Sequence, residues 1–184
     1  MFLTKRISPV IFYLSFLSII LSKDLHMTRT GYIEFFSTTP IEDIKAVNNQ
    51  VSCVLDKNSG SFAFQVPIKA FAFKNALMQE HFNESYLESD IYPKSTFKGI
   101  ILNWKEVKLT SQPQDIKIEG ELMMHGIKKS INEMGSISQK NSNILGQCVF
   151  SVVLRDFDIK VPKIVRENIA EVIKVTVKVD LSKK

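Results

Sequence analysis

Any chemistry in this chain has to come from His81, Glu84 and His125 with the acids near them. His81 precedes Glu84 by three residues, so on a helix the two side chains share a face, as two ligands of one metal ion would. With His125 as a third ligand, such a set would suit a metal-assisted hydrolase. Neither histidine belongs to a zinc signature, however. The plainer reading is that His81 makes a hydrogen bond at a helix and His125 sits in a hairpin. There is no serine in a G-x-S-x-G setting, no phosphate-cradling glycine loop and no dinucleotide fingerprint. Seven glycines in all leave little material for such a loop. No residue is therefore assigned a catalytic or metal-binding role, and the chain reads as a non-enzyme.

These residues must be positioned by two kinds of element. The stretch 75–99, NALMQEHFNESYLESDIYPKSTFKG, is the one long segment whose apolar residues do not alternate. Met78, Phe82 and Tyr86 recur every fourth residue with Leu77 and Leu87 beside them, which predicts one apolar helical face. Glu80, Glu84 and Glu88 fall on another face, Asn75 is the expected N-cap, and Pro93 forces the chain extended again. Met78, His81, Phe82 and Tyr86 are the expected lid or entrance residues, with Leu77 closing the same end and the three glutamates in water.

The rest of the chain after residue 30 alternates. The strands expected are Gly31–Ser37, Gln50–Leu55, Ser61–Ile68, Thr96–Leu102, Ile116–Met124, Ile131–Ser138, Cys148–Leu154 and Ile173–Leu181, with turns at Asp56–Gly60, His125–Gly126 and Asn141–Asn143. Pro67 places the third strand at an edge or a bulge. The apolar phase slips to Phe157, Ile159 and Val161, which marks a corner, and 162–171 is a connection. About eight short-turned strands suit an all-β chain with one helical segment: an eight-stranded antiparallel up-and-down barrel. Its inward stripes include Ile33, Phe35, Phe62, Phe64, Val66, Phe97, Ile101, Leu122, Met124, Phe150, Val152, Val175 and Val177. Eight strands enclose a space that side chains can fill or that can hold one small ligand, and alternation alone leaves both open.

Composition narrows the partners. With 45% hydrophobic and 23% charged residues in 184, the chain is long enough for one domain with a real core. Lys5 and Arg6 followed by the apolar run 7–21 read as a signal peptide over residues 1–22, or alternatively an uncleaved anchor. Removing it leaves 22 basic and 19 acidic residues, a net of +3, too little to argue for nucleic acid. Export would allow Cys53 and Cys148 to pair, but both sit in apolar strand patterns where a free thiol behaves as a small hydrophobe.

Three blocks then read together. His81-Phe82-Asn83-Glu84-Ser85-Tyr86-Leu87 with Tyr92-Pro93-Lys94-Ser95-Thr96-Phe97, the run from Ile118 to Lys129 with Gly120, Leu122 and Gly126, and Asp156-Phe157-Asp158-Ile159-Lys160 resemble, in this order and spacing, the YceI-like family. The resemblance covers about residues 31–181. It implies a lipocalin-like barrel, exported to the periplasm or secreted, that holds a long isoprenoid or other apolar lipid, such as a quinone or fatty-acid-like chain, in its lumen. It implies no cofactor beyond such a lipid, no stable membrane insertion after the leader is removed, and a monomer or homodimer. Two departures are expected: a shortened opening strand, and Ser37 where many members carry a histidine. The rival readings are a filled-core barrel acting as a stress-related interaction module and the metal-assisted hydrolase.

Overall fold

The computed structural model describes residues 23–184; the segment 1–22, expected to be a signal peptide, lies outside the described residues. Among the described residues nine strands form one antiparallel sheet. They are β1 (Leu25–Thr38), β2 (Asp43–Asp56), β3 (Ser61–Pro67), the two-residue β4 (Ala72–Phe73), β5 (Lys94–Ile101), β6 (Gln114–Met124), β7 (Ile127–Lys140), β8 (Asn143–Val153) and β9 (Val172–Lys183). Their order is β1-β9-β8-β7-β6-β5-β3-β2-β4, and β1 also pairs with β2, which closes eight strands into a barrel. Closure leaves no free edge at that seam. β4 pairs with β2 through Ala46↔Phe73 and Val47↔Ala72, above the point where β3 leaves it.

The first two strands are far longer than their apolar alternation suggests. β1 begins at Leu25, before the expected Gly31. Its Thr28-Arg29-Thr30 stretch is polar, and its pairing with β2 shifts register between Thr28 and Gly31. β2 runs through Asn48-Asn49-Gln50 because Asn48, fully buried, satisfies its own amide: Nδ2 donates to the Pro67 carbonyl at 2.8 Å and Oδ1 accepts from Gln50 N at 2.7 Å. Pro67 is the last residue of β3, where a missing N–H costs the ladder nothing further.

The helical stretch leaves the barrel after β3 and returns before β5. Its base is clasped by Ile68 N donating to the Pro93 carbonyl at 2.9 Å. Inside it lie α1 (Ala76–His81) and a π turn over Phe82–Tyr86, with Leu87 N reaching back to the Phe82 carbonyl at 2.9 Å. Asn75 caps α1, its side chain accepting from Leu77 N at 2.9 Å. The corner expected after β8 is a 3-10 turn over Leu154–Phe157 that ends at Asp158 in the left-handed region, φ 53°.

Two apolar clusters stack along the barrel axis. Around the helical segment lie Ile33, Val51, Val66, Phe71, Phe82, Val152, Phe157 and Val177; at the opposite end lie Cys53, Leu55, Ile101, Ile116, Ile137, Ile144 and Leu181. The single Trp, Trp104, sits in the β5–β6 connection and packs on this second cluster, its indole N–H donating to the Lys57 carbonyl at 2.9 Å. Cys53 and Cys148 are free thiols, not a disulfide.

Candidate functional site

The barrel is hollow. A cavity of about 380 Å³ runs inside it, a size typical of a small-molecule pocket. The reading of a core filled by its own side chains fails on that cavity. The wall includes Ile33 and Phe35 from β1, Phe62, Phe64 and Val66 from β3, Phe97 and Ile101 from β5, Leu122 and Met124 from β6, Phe150 and Val152 from β8, and Val175 and Val177 from β9. The helical segment contributes Met78, His81, Phe82 and Tyr86 to the same wall. Alternation put these strand residues on one face, and closure of the sheet turned that face into a lumen.

One wall feature depends on glycine. Gly99 and Gly120 pair across β5 and β6 directly beneath the ring of Phe97. A Cβ at Gly120 would lie 2.4 Å from the Lys98 carbonyl oxygen and 2.5 Å from Phe97 Cζ, so only glycine lets the ring lie down there. Phe62 packs against that ring with centroids 5.3 Å apart.

Besides the Ile68–Pro93 clasp and the buried Leu87, two further points hold the helical segment to the barrel. Phe82 is buried among Phe35, Phe71 and Phe73, with centroids 5.4, 5.5 and 4.9 Å away. The second point is His125, in the β6–β7 turn with φ 49°. Its Nε2 lies 2.8 Å from Glu88 Oε2, its Nδ1 lies 2.9 Å from the Phe157 carbonyl, and the Tyr92 ring packs edge-on at 4.7 Å. Gly126, at φ 76°, leaves room for Tyr92, whose Cε1 would lie 2.7 Å from an added Cβ. The three blocks of the sequence resemblance thus meet at one junction.

That junction corrects several expectations. Glu88 is not simply a wet residue of the helix; it follows the π turn at φ 43° and binds His125. Leu77 is 56% exposed and closes nothing. His125 has both ring nitrogens occupied, while His81 and Glu84 are exposed, so the metal-hydrolase set does not come together. Among the described residues no group of three His, Cys, Asp or Glu is arranged to hold a metal ion.

Two places in the lumen wall carry polar residues, Glu42, Asn168 and Glu133 among them, that the sequence pattern does not single out. Near the β1–β2 turn, Asn168 Nδ2 donates to Glu42 Oε2 at 3.3 Å and Ser37 Oγ accepts from Ala170 N at 2.9 Å. Loop residues from distant parts of the chain carry no periodicity that would have linked them. The second place is the wall between β7 and β8, which pair only from Gly135↔Cys148 to Lys140↔Asn143. Beyond Gly135 toward Ile127 the strands have no ladder, and the His125–Phe157 bond bridges the far end of the gap. Glu133 and Cys148 line the lumen beside this gap in the ladder, where the Cys148 thiol donates to the Met134 carbonyl at 3.3 Å. Burial pushes the Cys148 thiol up to about 11, with the Glu133 carboxylate adding to it; burial alone pushes Cys53 up to about 12.

Comparison with solved structures finds the same fold elsewhere. A polyisoprenoid binding domain from Saccharophagus degradans implicated in plant cell wall breakdown superposes with TM-score 0.77 at 11% identity, covering 89% of this chain and all (100%) of that one. Burkholderia cenocepacia BcnA gives TM-score 0.69 at 11% identity, over 83% of this chain and 96% of the other. A Campylobacter jejuni YceI protein gives 0.61 at 17% identity, over 80% and 88%. Comparison with functionally curated proteins returned no match. The sequence pattern of the YceI-like domain matches residues 27–182, from β1 to the end of β9, and the chain belongs to that family.

Proposed function

We propose that this protein is an exported, non-enzymatic binder or carrier of a long apolar lipid held in the barrel lumen: a polyisoprenoid, an isoprenoid quinone or a fatty-acid-like chain. The observation that carries this reading is the cavity of about 380 Å³ with an almost wholly apolar wall. Each methylene moved from water into such a tube gains about 0.8 kcal/mol, so a long tail binds without any directional contact. Membership of the YceI-like family and the fold shared with a polyisoprenoid binding domain support the same reading. Export rests on the leader pattern over residues 1–22 and implies a periplasmic or secreted protein. In this account the helical segment acts as a lid, and the protein works as a monomer or homodimer with no cofactor other than its lipid.

Titration of delipidated protein with a fluorescent isoprenoid tests the proposal. Saturable uptake near one lipid per chain, competed by unlabelled polyprenol, is expected. Uptake that never saturates, or none, overturns it.

A further inference from the structure

The lumen wall has a charge pattern that bears on the head of the lipid, on the reading that a lipid binds there. Among the described residues of the wall there is no Lys or Arg, and the two acidic residues are Glu42 and Glu133. The Glu133 carboxylate has no hydrogen bond or ion pair among the described residues, and Glu42 is touched by the uncharged amide of Asn168. His81 is the one wall residue able to carry a positive charge, and it is exposed. Phosphate and diphosphate heads are recognised by guanidinium, ammonium or convergent backbone amides. Here an anionic head would lose water in an apolar tube and meet carboxylates of its own sign. Cations do stand outside the wall: Lys45 is engaged by Glu34 at 2.7 Å and Lys69 by Asp90. Lys94 and Arg166, next in sequence to the wall residues Ser95 and Val165, have no ion pair among the described residues but do not themselves line the lumen.

We propose that the lumen selects lipids whose head is uncharged, such as an alcohol, amide or quinone, and discriminates against prenyl phosphates and diphosphates. A hydroxyl or amide N–H donates to the free carboxylate of Glu133 or to Glu42, and the second amide hydrogen of Asn168 donates to a carbonyl. The tail alone does not make this choice, because alcohol and diphosphate of one chain length share it.

The test is competition binding of a polyprenol and the polyprenyl diphosphate of the same length. It is run with chelator present, so that no divalent cation bridges diphosphate to carboxylate, and at about pH 8, where an ordinary imidazole is neutral. The polyprenol is expected to bind at least about tenfold more tightly. In the Glu42→Gln/Glu133→Gln double variant, with its fold checked by circular dichroism, that ratio should shrink severalfold. Equal or tighter binding of the diphosphate to the wild type overturns the inference and leaves the lipid-binding reading standing. A ratio unchanged in the double variant overturns the role given to the two carboxylates, and binding of neither lipid overturns both readings.

Discussion

At the scale of single residues, the two cysteines report on the lumen from inside it. Both thiols line the cavity, and their folded values lie near 12 for Cys53 and 11 for Cys148, above that of an exposed cysteine. A raised acid pKa means that folding favours the neutral thiol. That contribution is fully present below the unfolded value and is lost as the pH rises through about 11 to 12. At about pH 8 both should therefore alkylate far more slowly in native than in unfolded protein, Cys53 slowest, and added lipid should slow Cys148 further. Iodoacetamide labelling followed by intact mass checks this; Cys148 reacting at the unfolded rate would mean that the wall at the gap in the β7–β8 ladder is open to water. Residue-level legibility was uneven. Helical spacing put Met78, Phe82 and Tyr86 on one face correctly, because that face is set by local geometry. The partner of His125 was missed, since Glu88 is distant in sequence and its left-handed backbone breaks the helical phase that had grouped it with Glu80 and Glu84.

Among the elements, the helical segment is the part whose removal from the barrel costs least. Its contacts are concentrated at Phe82 and the Glu88–His125 pair, whereas each strand is tied along its length. Phe82→Ala should lose about 2–4 kcal/mol, within or slightly below the range for a fully buried ring, because aromatic partners on three sides are left facing a void. Trp104 packs on the other apolar cluster, away from the rings around Phe82, so its fluorescence can follow unfolding. If the segment is a lid, the dissociation of fluorescent lipid should also become several times faster. Unchanged release with stability lost would make it an ordinary core element. The existence of this segment was readable from its N-cap and four-residue period; the π turn was not, because nothing local distinguishes one inserted residue. The strands were readable wherever apolar residues alternate, and were cut short in β1 and β2 where Thr28–Thr30 and Asn48–Gln50 hide the pattern.

For the whole molecule, alternation settled which residues face inward but not whether they meet. That depends on barrel radius, which follows from strand number and stagger and is invisible in any one segment. Small inward positions such as Gly99, Gly120 and Gly146 help keep the centre unfilled, and their effect appears only once the strands are wrapped. The β7–β8 ladder stops at Gly135↔Cys148, and beyond it side-chain contacts such as the Cys148 thiol donating to the Met134 carbonyl span the wall. The central claim is that this cavity holds a lipid in the protein's working life. Native mass spectrometry of protein purified from its own compartment, with organic extraction of the same sample, tests it most directly. The account predicts a mass excess that disappears on extraction and is recovered as one class of long apolar lipid with an uncharged head. Repeated preparations at the bare polypeptide mass, with nothing in the extract and no uptake of added polyprenol or quinone, would contradict it.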